Sequence, residues 1–369
     1  MNNGQQFRFG TVWSKEHFNG EIAFGNMRAA FTEALTRYPN ELQESFYVLG
    51  GQNVRIRIVG RDLAKYICRP FSHLRTNGQR PATPQLTIDL WDKNVDHQGP
   101  STLENLKWFE QTVKSADGRF VGQQLPHTFS CLDRQTGQIV SSIAWHDCIF
   151  IYERAKPLAR PLLEWHNDRG IQVIHAGLVA QDGRGALFVG KSGSGKSTSS
   201  LICLCAGFDY LSEDYIGLER RQDGTFVGHS LYNSVFLETA HLTRFTELMP
   251  YAIKGRPPQE EKSVIILSQV FPERLERTAP IRVLVLPRVV DTPTSEFRPA
   301  SKGEALLALG PSSLLQIPNK ELGVRGFDKL VQLVERVPCY WLELGGDPRA
   351  IPSLVENILA EEMHSQTSL

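Results

Sequence analysis

The stretch Gly185-Ala186-Leu187-Phe188-Val189-Gly190-Lys191-Ser192-Gly193-Ser194-Gly195-Lys196-Ser197-Thr198 decides the reading of this chain. Residues 190–198 match G-x-x-x-x-G-K-[ST], a phosphate-binding loop. Its glycines let successive backbone N–H groups turn inward on one phosphate chain. Lys196 places a point charge on the β/γ-phosphates, and the Ser197 hydroxyl is a Mg²⁺ ligand. Gly185 to Val189 reads as a short buried strand, and Ser197 to Ala206 as a helix closing at Gly207. An anion would then lie at a helix N-terminus, where the dipole favours negative charge. A Gly/Ser-rich surface turn is the plainer alternative. The strand before and the helix after favour nucleotide binding, with ATP and Mg²⁺ as the expected cofactors.

The rest of the chain sets the bounds. Its 369 residues allow two or three domains with ample core. A 41% apolar and 22% charged composition is ordinary for a globular protein. A formal net charge of zero argues against a general nucleic-acid or anionic-membrane binder. Met1 to Gln6 lacks the features of a signal peptide, and no apolar run has membrane-span length. Cys68, Cys131, Cys148, Cys203, Cys205 and Cys339 are scattered, with no C-x-x-C pair. Cys203 and Cys205 read as core packing. A reduced, cytoplasmic protein is the expectation. Homo-oligomer formation is left open.

The chain divides near residue 155. Residues 1–155 read as a strand-rich α+β domain for substrate recognition or regulation, and 156–369 as the loop-bearing α/β domain. In the first, Val54, Ile56 and Ile58 alternate with arginines, and Leu86, Ile88 and Leu90 with polar residues. Both patterns predict half-buried strands of a mostly antiparallel sheet. Further strands are expected at 7–13, 45–49, 119–122, 137–145 and 149–153, a helix over 27–38, and loop over 69–84. His127, Trp145 and His146 read as packing or surface residues. Lys156 to Trp165 reads as a connecting helix.

In the second domain, Ile171 to Ala180 is expected as one strand, then a turn and the strand before the loop. Phe208 to Leu211 forms a strand running into Ser212-Glu213-Asp214-Tyr215. Val264–Leu267 and Ile281–Leu286 read as strands covered on both faces. Helices are expected over 302–309, 325–337 and 350–361, with a strand at Tyr340–Leu344. The sheet is expected to be mixed.

Three positions could add chemistry to the loop. In Glu213-Asp214, one acid can hold Mg²⁺ while the other accepts a proton from an attacking hydroxyl; solvated turn acids are the alternative. His175 interrupts the apolar run Val173–Gly177 and is either a core histidine or a residue of the site. Lys262 reads as a solvated charge in preference to a phosphate contact. The stretch Lys254 to Pro258 could cover a substrate.

His175-Ala176-Gly177, the loop 190–198, Ala206-Gly207-Phe208 and Glu213-Asp214 together resemble the kinase domain of the bacterial HPr kinase/phosphorylase family. Its fold is related to that of phosphoenolpyruvate carboxykinase. The resemblance covers about residues 170–220, and the gaps between the three elements agree with it. It implies a mixed central sheet, with Asp214 as general base, His175 as its support, Lys196 as phosphate clamp and Ser197 as a Mg²⁺ ligand. Glu213 stands where that family has Asp, and Thr198 where it often has Glu. The family's later E-x-R-G-x-G segment is replaced by His229-Ser230-Leu231-Tyr232-Asn233-Ser234-Val235-Phe236-Leu237. The first 155 residues and Ala300–Pro318 are similar to a divergent branch, some of whose members are associated with ribosomally made, modified peptides. The phosphocarrier protein and phosphorylase activity are therefore not expected. The resemblance implies an ATP-dependent kinase acting on a hydroxyl, with a serine of a peptide or small protein favoured, such as a ribosomal peptide precursor. A small-molecule hydroxyl kinase, such as one acting on free serine, and a nucleotide-gated regulator are the alternatives.

Overall fold

The structure is a computed structural model and describes residues 18–76, 78, 83–95, 109–255, 261–314 and 320–367. Two compact units are present. One comprises residues 1–48, 52–68 and 75–165; the other comprises 49–51, 69–74 and 166–369. The expected strand at 7–13 lies outside the described residues.

The first unit contains α1 (Gly20–Arg37), β1 (Leu42–Leu49), β2 (Gln52–Val59), α2 (Arg61–Cys68), β3 (Leu86–Asp92), β4 (Gln111–Lys114), β5 (Phe120–Gln124), β6 (Thr128–Asp133), β7 (Gln138–Ile143) and α3 (Ile151–Ala155). The division from the second unit falls inside α4 (Ala159–Asp168). Asn19 starts α1 by accepting the Ile22 N–H at 3.1 Å. Ala23, Phe24, Met27 and Phe31 recur at helical spacing and pack on Val59, Trp91, Phe120, Phe129 and Val140 of the sheet.

The strand order is β1-β2-β3-β7-β6-β5-β4. The alternating segments at 54–58 and 86–90 are strands, but they pair in parallel with each other, and β3 is parallel to β7. Antiparallel pairing holds from β7 through β6 and β5 to β4. Local alternation marks a strand and not its partner's direction, so the sheet is mixed where a mostly antiparallel one was expected. The strand expected at 149–153 is absent. Arg154 reaches back to the carbonyls of Asp147 and Ile149, both at 3.1 Å, and this stretch forms a helical turn and α3.

The second unit contains β8 (Gln172–Ile174), β9 (Gly177–Gln181), β10 (Arg184–Phe188), α5 (Lys196–Cys205), β11 (Asp209–Glu213), β12 (Ile216–Arg220), β13 (Phe226–Ser230), β14 (Ser234–Glu238), β15 (Ile253–Lys254), β16 (Lys262–Ile266) and β17 (Thr278–Val289). It continues with β18 (Glu296–Pro299), α6 (Lys302–Leu314), α7 (Lys320–Arg336), β19 (Cys339–Leu344) and α8 (Ile351–Thr367). A nine-stranded mixed sheet runs β11-β9-β10-β17-β13-β12-β8, with β19 and β18 added beside β17. The long β17 lies parallel to β10 and β19 and antiparallel to β13.

Ala186, Phe188, Val283 and Val285 face α5 and α8 on one side. Leu187, Val189, Leu284 and Leu286 face α6 and α7 on the other. Cover on both faces explains the continuous apolar runs. Residues 264–266, expected in that sheet, instead belong to a separate three-stranded sheet, β14-β16-β15. The expected strand 171–180 is broken at His175-Ala176. Its first half pairs with β12 and its second with β10 and β11. Cys203 is buried as read, but Cys205 is exposed. Among the described residues no helix is long and apolar enough to cross a membrane.

Candidate functional site

Three strand ends meet at one edge of the nine-stranded sheet. In the register of the antiparallel pairs, Gly177 lies opposite both Phe188 and Glu213. The residues just beyond that row are Val189-Gly190, Ala176-His175 and Asp214. Every part singled out near the loop therefore belongs to one edge, except Lys262, which opens β16 opposite Glu238 in the small sheet. Lys254 and Gly255 also lie there, and residues 256–258 are outside the described ones.

Gly190 is buried, while Lys191, Ser192 and Gly193 are exposed at the loop's crest. Ser194, Gly195, Ser197 and Thr198 are half-buried. Gly195 leads into α5 with φ of 106°, and a Cβ there would fall 2.4 Å from Leu344 Cδ1. Only glycine fits that corner. Having no side chain, it leaves the first N–H groups of α5 without a side-chain cap, the arrangement that suits an anion. Gly177 answers a second close approach, because a Cβ there would sit 2.6 Å from Ser200 Oγ of α5. Its small size lets the helix lie close against β9.

Lys196 is 5% exposed. Its Nζ donates to the carbonyls of Gly190 at 2.8 Å and Lys191 at 3.1 Å, which holds the ammonium inside the loop. Burial pushes its pKa below the ordinary lysine value, against an opposing pull from Asp214 and Glu213. Ser197 Oγ donates to Glu213 Oε1. A hydroxyl and a carboxylate in contact at the head of α5 form an oxygen-only pair, the donor chemistry that suits a hard cation such as Mg²⁺.

Asp214 has φ of 62°, and the Tyr215 N–H donates to the Glu213 carbonyl at 2.7 Å across it. It thus stands at the centre of a three-residue turn, a strained conformation costing about 1–3 kcal/mol. The segment is not extended, as adjacent strand residues would be. The turn sends Asp214 to His175, Nε2 to Oδ1 at 3.3 Å, while Glu213 goes to Ser197. Both side chains of the His–Asp pair reach solvent, with 20% and 28% exposure.

The break between β8 and β9 is what turns His175 toward Asp214. Its N–H donates to Ser313 Oγ of α6 at 3.3 Å. Ser313 carried no sequence signal, being one serine in a short polar run. His146, read as a packing or surface residue, hydrogen-bonds Asp92 through Nδ1 at 2.8 Å in the first unit.

No protein-family model and no curated protein matches the chain. Among solved structures, the Hpr(Ser) kinase/phosphatase from Coxiella burnetii aligns with a TM-score of 0.32 and 14% identity. The alignment covers 53% of this chain and 96% of that one. A likeness of that degree carries no argument about chemistry, which is read from the site itself.

Proposed function

We propose that this chain is an ATP-dependent kinase that transfers the γ-phosphoryl group to a hydroxyl, with a serine of a peptide or small protein as acceptor. The observation behind this reading is the meeting of a glycine loop, a buried lysine, a hydroxyl–carboxylate pair and a half-buried carboxylate–imidazole pair at one sheet edge. A nucleotide-gated regulator needs the loop alone; the His175–Asp214 pair in a strained turn favours an enzyme.

In this reading the loop amides and Lys196 hold the β- and γ-phosphates and offset charge as it builds during transfer. Ser197 and Glu213 would hold Mg²⁺, which supplies charge neutralisation at the phosphates when bound. Asp214 accepts the proton of the acceptor hydroxyl as its oxygen bonds to the γ-phosphorus and the bond to the ADP oxygen breaks. His175 orients the Asp214 carboxylate. The first unit is assigned to acceptor recognition or regulation, and the site to the interior of a reduced cell.

The test compares two adjacent acids. Asp214→Asn should bind ATP as the wild type does and lose turnover by about 10²–10⁴-fold. Glu213→Gln should instead raise the Mg²⁺ concentration needed for half-maximal rate. ADP formation over a Mg²⁺ titration, with nucleotide-binding isotherms, separates the two. Normal turnover by Asp214→Asn would remove Asp214 as the base.

A further inference from the structure

A strained turn persists only where its surroundings over-determine it. His175 holds the Asp214 carboxylate from one side. The backbone on both sides of the turn is held by residues of a different region. Ser230 Oγ donates to the Leu211 carbonyl, and Ser212 Oγ donates to the Tyr232 carbonyl at 2.9 Å. The Tyr215 ring meets the Tyr232 ring edge-on, with centroids 6.3 Å apart. Leu211, Ser212 and Tyr215 thus bracket Asp214, and all three rest on residues 230–232.

Residues 230–233 are in turn fastened by Arg69–Leu74, a segment far away in sequence that belongs to the same compact unit. Asn233 Nδ2 donates to the Arg69 carbonyl at 3.1 Å and Ser72 Oγ at 3.0 Å, and contacts His73 Nδ1 at 3.2 Å. The Asn233 N–H donates to the Pro70 carbonyl at 2.9 Å, and the Phe71 and Tyr232 rings lie 5.2 Å apart. His73 Nε2 lies 2.6 Å from Ser230 Oγ.

Ser230 fixes the proton order. Its single hydroxyl proton goes to the Leu211 carbonyl, which can only accept, so Ser230 accepts from His73 and Nε2 carries the ring proton. A directed pair of bonds runs from His73 through Ser230 into β11, three residues before Asp214. Burial, with Arg277 nearby, pushes the His73 pKa down to about 3, so the ring stays neutral and the pair keeps its direction.

We propose that His73, acting through Ser230, is a positioning residue for Asp214, and that Arg69–Leu74 serves as a clamp on the strained turn. The proposal rests on Asp214 being the base. A carboxylate displaced by about 1 Å can lose some 10²-fold in rate, while nucleotide binding to the loop depends on other residues.

The test uses the full chain and two readouts. His73→Leu removes the donor to Ser230, and His73→Gln keeps a nitrogen donor near the position of Nε2. Ser230→Ala, which deletes one hydroxyl, replaces His73→Leu if that variant does not fold. By hydrogen exchange, His73→Leu should open residues 211–216 selectively and leave residues 190–205 protected. ADP formation from Mg²⁺ and ATP should fall about 10- to 100-fold, with ATP affinity within about twofold. His73→Gln should restore both readouts. Unchanged exchange at 211–216, or a uniform rise across the unit, would reduce His73 to an ordinary packing residue. Exchange is read without turnover, so a failure of Asp214 as the base leaves the clamp separately decided.

Discussion

In the first unit, Asp89 on β3 accepts Arg57 Nε and Nη2, each at 2.7 Å, and the Gln138 amide at 2.7 Å. Asp133 on β6 accepts two Arg119 nitrogens at 2.8 Å and the Thr136 hydroxyl at 2.9 Å. Each carboxylate is buried and matched by a planar guanidinium. In the second unit, Lys196 is as deeply buried, but carbonyls hold it. Its neighbouring acids turn instead to Ser197 and to a solvent-reaching histidine. The contrast separates two uses of charge in mixed sheets. Fork-matched pairs complete the fold, whereas a cation held by neutral oxygens has no carboxylate to neutralise it, which is the arrangement the proposed kinase would need.

Lys196→Met breaks the comparison most severely. Turnover should fall about 10²–10³-fold, the usual loss when one transition-state contact is removed, while the melting temperature rises. Burial lowers the pKa of Lys196 in the folded state, so protonation favours the unfolded chain. The penalty is complete below the folded pKa and fades as pH rises through it toward the unfolded value of 10.5. The thermal advantage of Lys196→Met should shrink over the same range. A lower melting temperature at pH 7 would place Lys196 with the structural charges.

Arg57→Met gives the reverse result. Removing the guanidinium leaves the buried Asp89 charge without its ion partner, at a cost of about 3 kcal/mol in denaturant unfolding. The turnover of the molecules that remain folded should be unchanged. A fall in kcat without loss of stability would overturn the division of roles.

At neutral pH nothing is expected from the titration of His73, and its effect on stability appears only on acidification. Its folded pKa lies near 3 and its unfolded value near 6.5, so the unfolded chain takes up a proton that the folded chain refuses. Its share of stability is complete above pH 6.5 and is lost as pH falls toward 3. His73→Gln should flatten that part of a stability–pH curve. An unchanged slope would mean that other groups govern acid unfolding.

Much of the site could be read from local pattern. The strand 184–188, the loop and the helix from Lys196 follow one another within some twenty residues, and each is specified by its own backbone preferences. Glu213-Asp214 at the end of a strand is legible for the same reason. His175 was legible as an interruption but not as a break, because an apolar run with one histidine looks the same in a continuous strand. The region 229–237 showed only an absent motif, although Ser230, Tyr232 and Asn233 brace the turn at Asp214. Arg69–Leu74 read as part of a loop over 69–84 because Pro70, Gly78, Pro81 and Pro84 mark that stretch as turn.

The sequence by itself determined the strand–glycine loop–helix segment, the α/β class and the acids beside it, since these depend on contacts within a turn or two of chain. Only the tertiary structure decided which strands lie side by side. The row Phe188–Gly177–Glu213, the parallel pairing of β2 with β3, and the approach of residues 69–74 to residues 230–233 are settled by pairing between distant segments. A period of two is the same for either strand direction and for any partner. The left-handed turn at Asp214 belongs with them, because its strain is tolerable only once the distant residues that hold it are in place.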